Sequence, residues 1–296
     1  MSISGVVKYG GGVRAFVRFL PFAALAAAFL LAADPPVQAQ TAHQSQFSLG
    51  ASAVLEREFA SADLSYLLMD ASGEVLAERW SSERSVSPGS LVKPFLAVAY
   101  GEQHDGQFPV VRRLGSRSRC WLPAGHGTLV LEEAIAQSCN SYFLELAADL
   151  DRSRAAETFA RYGLAGPPAE AAPESLVGLG SVWKESPLAL AGAYLQLDKE
   201  QGSAVQGRIA MGMLGSAAHG TARAVDAVLG KDAALAKTGT AACSHTRRGT
   251  ADGFTVVLYP AAEPRLLLLV RVHDATGVES AKIAGAMLRS LGAGER

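Results

Sequence analysis

The chain has 296 residues, of which 49% are hydrophobic and 19% are charged. A chain of this length and composition buries a sizeable core in one domain or two, which excludes a disordered protein. The formal net charge is -1 and no long basic run occurs, so nucleic acid is not expected as a partner.

Residues 1–39 have the pattern of a targeting segment. Basic residues precede an uncharged apolar run from Phe19 to Ala33, and small residues lie around Ala39. We therefore predict a signal peptide that is cleaved after Ala39. A retained membrane anchor is the alternative, although the run is shorter than the roughly 20 residues of a membrane span and contains Pro21. In both cases we expect residues 40–296 to work outside the cytoplasm, in the periplasm or as a secreted protein.

Three cysteines, Cys120, Cys139 and Cys243, would then lie in an oxidising compartment. Pairing of two of them leaves one over, and the sequence does not select the pair. A bridge from Cys120 to Cys139 is one option. The other is that all three are reduced and serve as small buried hydrophobic residues.

The first predicted elements are a helix and a β-hairpin. Apolar residues at helical spacing predict an amphipathic helix from about Ala51 to Ala60. The segments Asp63 to Asp70 and Glu74 to Trp80 read as strands, and the tight turn at residues 71–73 joins them. We assign both elements a structural role.

The middle of the chain is mostly helical, and its end returns to strands. Helical periodicity with loops at Gly and Pro extends over about 96–229. The final elements are three strand candidates and a closing helix: Leu235 to Ala241, Gly253 to Tyr259, Arg265 to Val272, and about Ser280 to Leu291. Strands at both ends predict an α+β fold, with one antiparallel sheet flanked by helices and an inserted helical subdomain at about 96–229.

The first motif with catalytic potential is Ser90-x-x-Lys93. The turn signal Pro88-Gly89 and the apolar run that follows predict a helix that begins near Ser90, with Pro94 in its first turn. Residues three apart share a helix face, so a water-shielded Lys93 could take the proton of the Ser90 hydroxyl. In isolation, Ser90 could equally be a helix cap beside a solvated lysine.

The second and third motifs are Ser138-x-Asn140 and Lys237-Thr238-Gly239. Ser138 could relay a proton, and Asn140 could hold a substrate amide through its donor and its acceptor. On an edge strand, Lys237 and Thr238 could bind a carboxylate, and Gly239 would let a substrate backbone come close. In isolation, Ser138 and Asn140 could be helix-capping residues, and Lys237-Thr238-Gly239 could be the start of an ordinary strand.

Together, in this order, the three motifs resemble those of the penicillin-recognising serine acyltransferases. The surrounding residues resemble the transpeptidase domain of the large penicillin-binding proteins: Pro88-Gly89-Ser90, Lys93-Pro94-Phe95, Gly125-His126-Gly127, Ser138-Cys139-Asn140-Ser141-Tyr142-Phe143, Ser186-Pro187-Leu188 and Lys237-Thr238-Gly239-Thr240-Ala241. The similarity covers most of residues 40–296, which we interpret as one transpeptidase-like domain. His126 lies between two glycines and is interpreted as a loop-shaping residue.

The resemblance implies a role for each catalytic residue. Ser90 would attack the carbonyl between the two terminal D-alanines of a peptidoglycan stem peptide, Lys93 would take its proton, and Ser138 would pass a proton to the leaving D-alanine. An amine from a second stem would resolve the acyl-enzyme, and a β-lactam would be trapped on Ser90. The family's chemistry needs no metal and no cofactor.

It also implies the substrate-binding residues. Asn140 would orient the acyl chain, and Lys237 and Thr238 would hold the terminal carboxylate beside Gly239. The backbone N–H groups of Ser90 and Thr240 would form the oxyanion hole. The chain is shorter than the large proteins, with no glycosyltransferase region and no N-terminal pedestal, so a cell-wall partner protein is expected.

Two alternatives are a β-lactamase of the same fold and a β-lactam sensor or scaffold that acylates without turnover. The class A β-lactamase pattern uses a Glu with an Asn a few residues on, and no asparagine follows Asn140. Class D enzymes carry an apolar residue where Asn140 stands. A D,D-transpeptidase, with D,D-carboxypeptidase activity as a variant, is therefore the favoured interpretation.

Overall fold

A computed structural model of the chain describes residues 37–80, 85–113, 121–200, 202–243 and 251–294, with side chains from residue 46 onward and without that of Arg113. Most of the predicted signal peptide, and Cys120, lie outside these ranges. Within them, no helix is both long enough and apolar enough to cross a bilayer.

The described residues contain seven strands. They are β1 (Leu64–Asp70), β2 (Val75–Arg79), β3 (Val111–Arg113), β4 (Gly127–Leu129), β5 (Leu235–Ala242), β6 (Ala251–Tyr259) and β7 (Leu266–His273). Five of them form one sheet in the order β2-β1-β7-β6-β5, antiparallel throughout. The predicted antiparallel sheet is therefore confirmed, and β5 lies at its edge.

Nine α-helices are present in the same residues. They are α1 (Val37–Glu58), α2 (Lys93–Gln103), α3 (Leu131–Ala136), α4 (Asn140–Ala148), α5 (Arg152–Arg161), α6 (Pro187–Lys199), α7 (Ala204–Ala218), α8 (Ala224–Leu229) and α9 (Gly277–Ser290). Helices α2 to α8 fall between β2 and β5 in the chain, as the predicted helical insertion requires.

Two hydrophobic cores lie on the two faces of the sheet. Successive side chains of a strand point to opposite faces, and β1 divides its residues accordingly. Leu67 and Met69 join the core formed with α2 and most of the inserted helices. Tyr66 and Leu68 join the core formed with α1, α8 and α9.

Helix α2 runs through the first core and is buried from Lys93 to Gly101. The ring of Phe95 anchors it, with ring centroids 5.3 Å from Tyr162 and 5.1 Å from Tyr194. Before α2, a 3-10 turn at Gly89–Val92 carries Ser90. The α-helix thus begins three residues later than predicted, at Lys93, and Pro94 lies in its first turn as expected.

Three further features differ from the sequence predictions. Helix α1 begins well before Ala51, and the short β3-β4 hairpin was not predicted. Within the region predicted to be helical, residues 140–161 form two helices, α4 and α5. Asp151 separates them because its side chain accepts hydrogen bonds from the backbone N–H groups of Ser153 and Arg154 and thereby caps α5.

Candidate active site

The 3-10 turn that carries Ser90 packs directly against β5. Gly89 has a φ of +55°, and a Cβ atom there would lie 2.9 Å from the carbonyl oxygen of Thr240. On the other side, a Cβ on Gly178 would lie 1.9 Å from the carbonyl oxygen of Gly89. Glycine is required at both positions, because a side chain would push Ser90 away from the strand that holds the third motif.

Lys93 is fully buried one helical turn beyond Ser90. Its Nζ donates hydrogen bonds to the carbonyl oxygen of Ser138 at 2.7 Å and to Oδ1 of Asn140 at 2.6 Å. It also lies 3.4 Å from Oγ of Ser138 and 5.5 Å from the ring centroid of Phe143. The lysine of the first motif is therefore in contact with both polar residues of the second.

Ser138 occupies the turn between α3 and α4 in a left-handed conformation, with φ of +51°. This backbone region costs a non-glycine residue about 1–3 kcal/mol and is found most often where function demands it. The hydroxyl of Ser138 also accepts a hydrogen bond from Nζ of Lys237 at 2.8 Å. The strained turn thus presents one hydroxyl to two buried lysines, Lys93 and Lys237.

Lys237 is fully buried in β5. Besides Ser138, its Nζ donates to the carbonyl oxygen of Thr238 at 2.7 Å, so both partners are neutral. Burial first, and the charge of Lys93 second, hold the pKa of Lys237 well below its ordinary value.

The threonines of β5 are held by residues that sequence reasoning missed. Oγ1 of Thr238 donates a hydrogen bond to Oγ1 of Thr221 at 2.5 Å. Oγ1 of Thr221 in turn donates to the carbonyl oxygen of Ala136 at 3.4 Å. Oγ1 of Thr240 accepts a hydrogen bond from the N–H of Gly277 at 3.0 Å. Close packing positions Thr221, since a Cβ atom added to the preceding Gly220 would lie 2.2 Å from the carbonyl oxygen of Ala136. No local sequence signal marks this contact.

The three motifs border one cleft of about 360 Å³ between the sheet and the inserted helices. Six of the predicted residues line it: Ser90, Ser138, Asn140, Thr238, Gly239 and Thr240. The other two, Lys93 and Lys237, lie beneath the surface and contact Ser138. Apolar side chains that the sequence did not single out complete the walls: Trp121, Leu179 and Val278.

Two other predicted features lie near the cleft without lining it. His126 sits between Gly125 and Gly127, which have φ of +77° and +71°, and its ring packs edge-on against Trp121. Burial lowers the pKa of His126. Cys139 is fully buried between Ser138 and Asn140 and forms no disulfide.

Solved structures with the same fold are numerous. The TP domain of Burkholderia pseudomallei penicillin-binding protein 3 superposes with a TM-score of 0.66 at 18% identity, over 84% of this chain and 93% of that one. Pseudomonas aeruginosa PBP2, solved with WCK 5153, gives 0.65 at 20% identity over 84% and 73%. Helicobacter pylori PBP2, solved in complex with MreC, gives 0.66 at 17% identity over 83% of this chain and 62% of that one.

At these identities the structural matches concern the fold, and they confirm the predicted α+β architecture of the β-lactamase and transpeptidase type. No match was found among curated protein sequences. The family model of the penicillin binding protein transpeptidase domain matches residues 64–291, from the first residue of β1 to the residue after α9. Since this range is more than half of the protein and contains all three motifs, the chain belongs to the penicillin-binding protein transpeptidase domain family.

Proposed function

We propose that this protein is a serine D,D-transpeptidase that acts on the D-Ala-D-Ala end of peptidoglycan stem peptides through an acyl-enzyme. The observation that carries the proposal is the position of Ser138. Its hydroxyl lies between Nζ of Lys93 and Nζ of Lys237, in a cleft that also contains Ser90. A nucleophile, a base and a proton relay are thus within one site.

Acylation begins at the Ser90 hydroxyl. Lys93, in its neutral form, takes the proton as Oγ of Ser90 bonds to the carbonyl carbon between the two D-alanines. The backbone N–H groups of Ser90 and Thr240 face the oxygen on which negative charge develops. Removal of one such donor typically costs about 3 kcal/mol of transition-state stabilisation.

Collapse of this intermediate requires a proton on the leaving nitrogen. Ser138 gives its hydroxyl proton to that nitrogen and is reprotonated by Lys93, so the terminal D-alanine leaves as a neutral amine and Lys93 is neutral again. The amine of a second stem then attacks the ester, its proton returns along the same path, and Ser90 recovers its hydroxyl. Water in place of the amine gives carboxypeptidation.

The substrate carboxylate is held at β5. Thr238 and Thr240 line the cleft and offer hydroxyl groups, whereas Lys237 is fully buried. Lys237 therefore acts on the carboxylate without touching it, from a position held by the hydrogen bonds that its Nζ donates to Oγ of Ser138 and to the carbonyl oxygen of Thr238. Asn140 orients the acyl chain while its Oδ1 holds Lys93.

A fluorescent penicillin tests the nucleophile. The wild type should become covalently labelled, and Ser90→Ala should lose the label completely. Ser87→Ala is the matched control, because Ser87 is a buried serine three residues upstream whose Oγ contacts Lys184. Equal labelling of wild type and Ser90→Ala would contradict the assignment.

Two more assays separate the enzyme from its alternatives. Release of D-alanine from a D-Ala-D-Ala peptide is expected of a transpeptidase or carboxypeptidase and not of a sensor that acylates once. Rapid hydrolysis of nitrocefin would instead identify a β-lactamase.

We further propose that the protein works outside the cytoplasm, where its peptidoglycan substrate is found, after passage directed by residues 1–39. The H. pylori PBP2 structure contains MreC, which supports the expectation of a cell-wall partner protein here. Fractionation of cells that express the full chain would test the location.

A further inference from the structure

A cysteine, an aspartate and a histidine lie together at one end of the sheet, where β5 and β7 end and β6 begins. Asp252 pairs with His273 across β6 and β7, and with Ala241 across β5 and β6. Cys243 follows β5 directly. The antiparallel register thus gathers three potential metal ligands from three strands, beyond the residues of the cleft.

Their ligating atoms are already close together. Nδ1 of His273 lies 2.9 Å from Oδ1 of Asp252 and 3.7 Å from Sγ of Cys243. All three ligating atoms lie within 4.8 Å of one another. Asp252 is buried, whereas Cys243 and His273 keep partial access to solvent. An ion could therefore reach the cluster and be largely shielded once bound.

We propose that Cys243, Asp252 and His273 form a binding site for a divalent metal ion of the zinc class. Sulfur, imidazole nitrogen and carboxylate oxygen are the donor set that zinc accepts. In a tetrahedral zinc site, N and S ligands lie about 3.6 Å apart, and N and O ligands about 3.4 Å apart. The observed N–S distance fits, and the N–O distance needs to widen by about 0.5 Å.

Arg271 orients the carboxylate of Asp252 for metal binding. Its Nε donates to Oδ2 of Asp252 at 3.0 Å, so that Oδ1 is the oxygen that points to His273. A second hydrogen bond of this kind fixes the orientation of a ligating group and is common around metal centres. Asp252 would bind the ion through Oδ1 alone, and water would take the fourth position.

Metal binding selects one protonation state of each ligand. A cysteine binds as the thiolate and a histidine as the neutral imidazole, here through Nδ1 with the ring proton on Nε2. Binding is therefore accompanied by proton release and strengthens as pH rises.

The ion would lie outside the cleft and would take no part in acyl transfer. It would fasten the end of the edge strand β5 to the two inner strands. Gly89, which precedes Ser90, packs against Thr240 and Ala241 of that strand. Occupancy of the site would therefore stiffen the strand that borders the cleft.

Cobalt substitution tests the proposal on the full chain after treatment with a chelator. Stoichiometric Co²⁺ should produce a thiolate-to-cobalt charge-transfer band, and the band should disappear in Cys243→Ser. His273→Asn should weaken cobalt affinity by at least roughly 100-fold, since loss of a partner that only orients a ligand already costs about 10- to 100-fold. His104→Asn is the control, because His104 also bonds an aspartate, Asp149, but lies on α2's C-terminal turn.

A second measurement needs no variant. Bound Zn²⁺ should protect Cys243 from alkylation, with the modified peptide identified by mass spectrometry. A wild type without a thiolate band, a band that persists in Cys243→Ser, or unchanged alkylation of Cys243 would each overturn the proposal. None of these readouts depends on Ser90, so the acyltransferase proposal and the metal site can fail separately.

Discussion

Two buried cations on the same sheet are treated in opposite ways. Arg271 faces the carboxylate of Asp252, and both side chains are only 4% exposed. Lys237 is fully buried and its hydrogen-bond partners are a hydroxyl and a carbonyl. A charge taken out of water is costly unless it is paired. At Arg271 the carboxylate of Asp252 offsets this cost, whereas the hydrogen-bond partners of Lys237 carry no charge. A buried cation without a charged hydrogen-bond partner is typical of a functional site.

The largest effect is expected from Lys93→Met, which removes the proposed base while nearly preserving its volume. The rate of acylation by penicillin should fall by roughly 100- to 10,000-fold, since general-base catalysis typically contributes that factor. Stopped-flow or gel-based labelling over time measures it. Lys199→Met, at an exposed position of α6, should acylate like the wild type. A rate for Lys93→Met within about threefold of wild type would remove the lysine from the mechanism.

Arg271→Met should cause the largest loss of stability. The variant removes the buried guanidinium that pairs with the Asp252 carboxylate, and breaking a buried ion pair in this way typically costs about 3–5 kcal/mol in free energy of unfolding. Urea denaturation in the presence of a chelator measures this without any contribution from bound metal. The double variant Asp252→Leu/Arg271→Met should recover most of the loss, and equal losses in the single and double variants would argue against the pairing.

Lys237→Met should leave the free energy of unfolding within about 1 kcal/mol of wild type. Relief of the buried charge is offset by the loss of two hydrogen bonds, each of which contributes about 1 kcal/mol. The same urea experiment gives the value. A loss as large as that of Arg271→Met would mean that Lys237 is a structural group, and the contrast between the two cations would disappear.

The pH dependence of stability sharpens the same contrast. Burial holds the pKa of Lys237 below its ordinary value of 10.5, so between the two values the unfolded chain binds more protons than the folded one. Wild-type stability should therefore gain from this group as pH rises through that interval, and below the folded pKa the full cost of burial remains. The difference between wild type and Lys237→Met, measured from about pH 7 to 9.5, should follow this slope. A difference that does not change with pH would contradict the lowered pKa.

The smallest effect is expected from Thr221→Val. Thr238 loses the hydrogen-bond partner that fixes the orientation of its side chain in the cleft, which costs about 1 kcal/mol or roughly fivefold in penicillin acylation efficiency. Thr221→Ser keeps the hydroxyl and should restore the wild-type value. If the serine variant is as slow as the valine variant, packing rather than hydrogen bonding explains the role of Thr221.

The sequence predicted the parts of this molecule that depend on local pattern. All five strands of the main sheet were found, because alternating or continuous apolar runs bounded by turn residues mark them. Six of the eight predicted site residues line one cleft, and the other two, Lys93 and Lys237, contact Ser138 beneath it. The placement of Thr221 could not be predicted, because its contact with Thr238 joins residues that only the tertiary fold brings together.

Backbone geometry around the site was also not predictable from the sequence. The left-handed conformation of Ser138 is unusual for serine, and no local signal requires it. The contact between Gly178 and Gly89 likewise joins two distant segments. Such features are imposed by packing around the site, which explains why propensity and periodicity do not reveal them.

The position of β5 at the edge of the sheet has a consequence for self-association. An edge strand exposes a row of unpaired N–H and C=O groups, which an extended peptide can use as an added strand. The same edge invites a second copy of the protein to pair and aggregate. An inward-pointing charge in the middle of such a strand discourages that pairing, and Lys237 is placed accordingly. We therefore expect the buried charge of Lys237 to disfavour strand pairing between two copies of the protein.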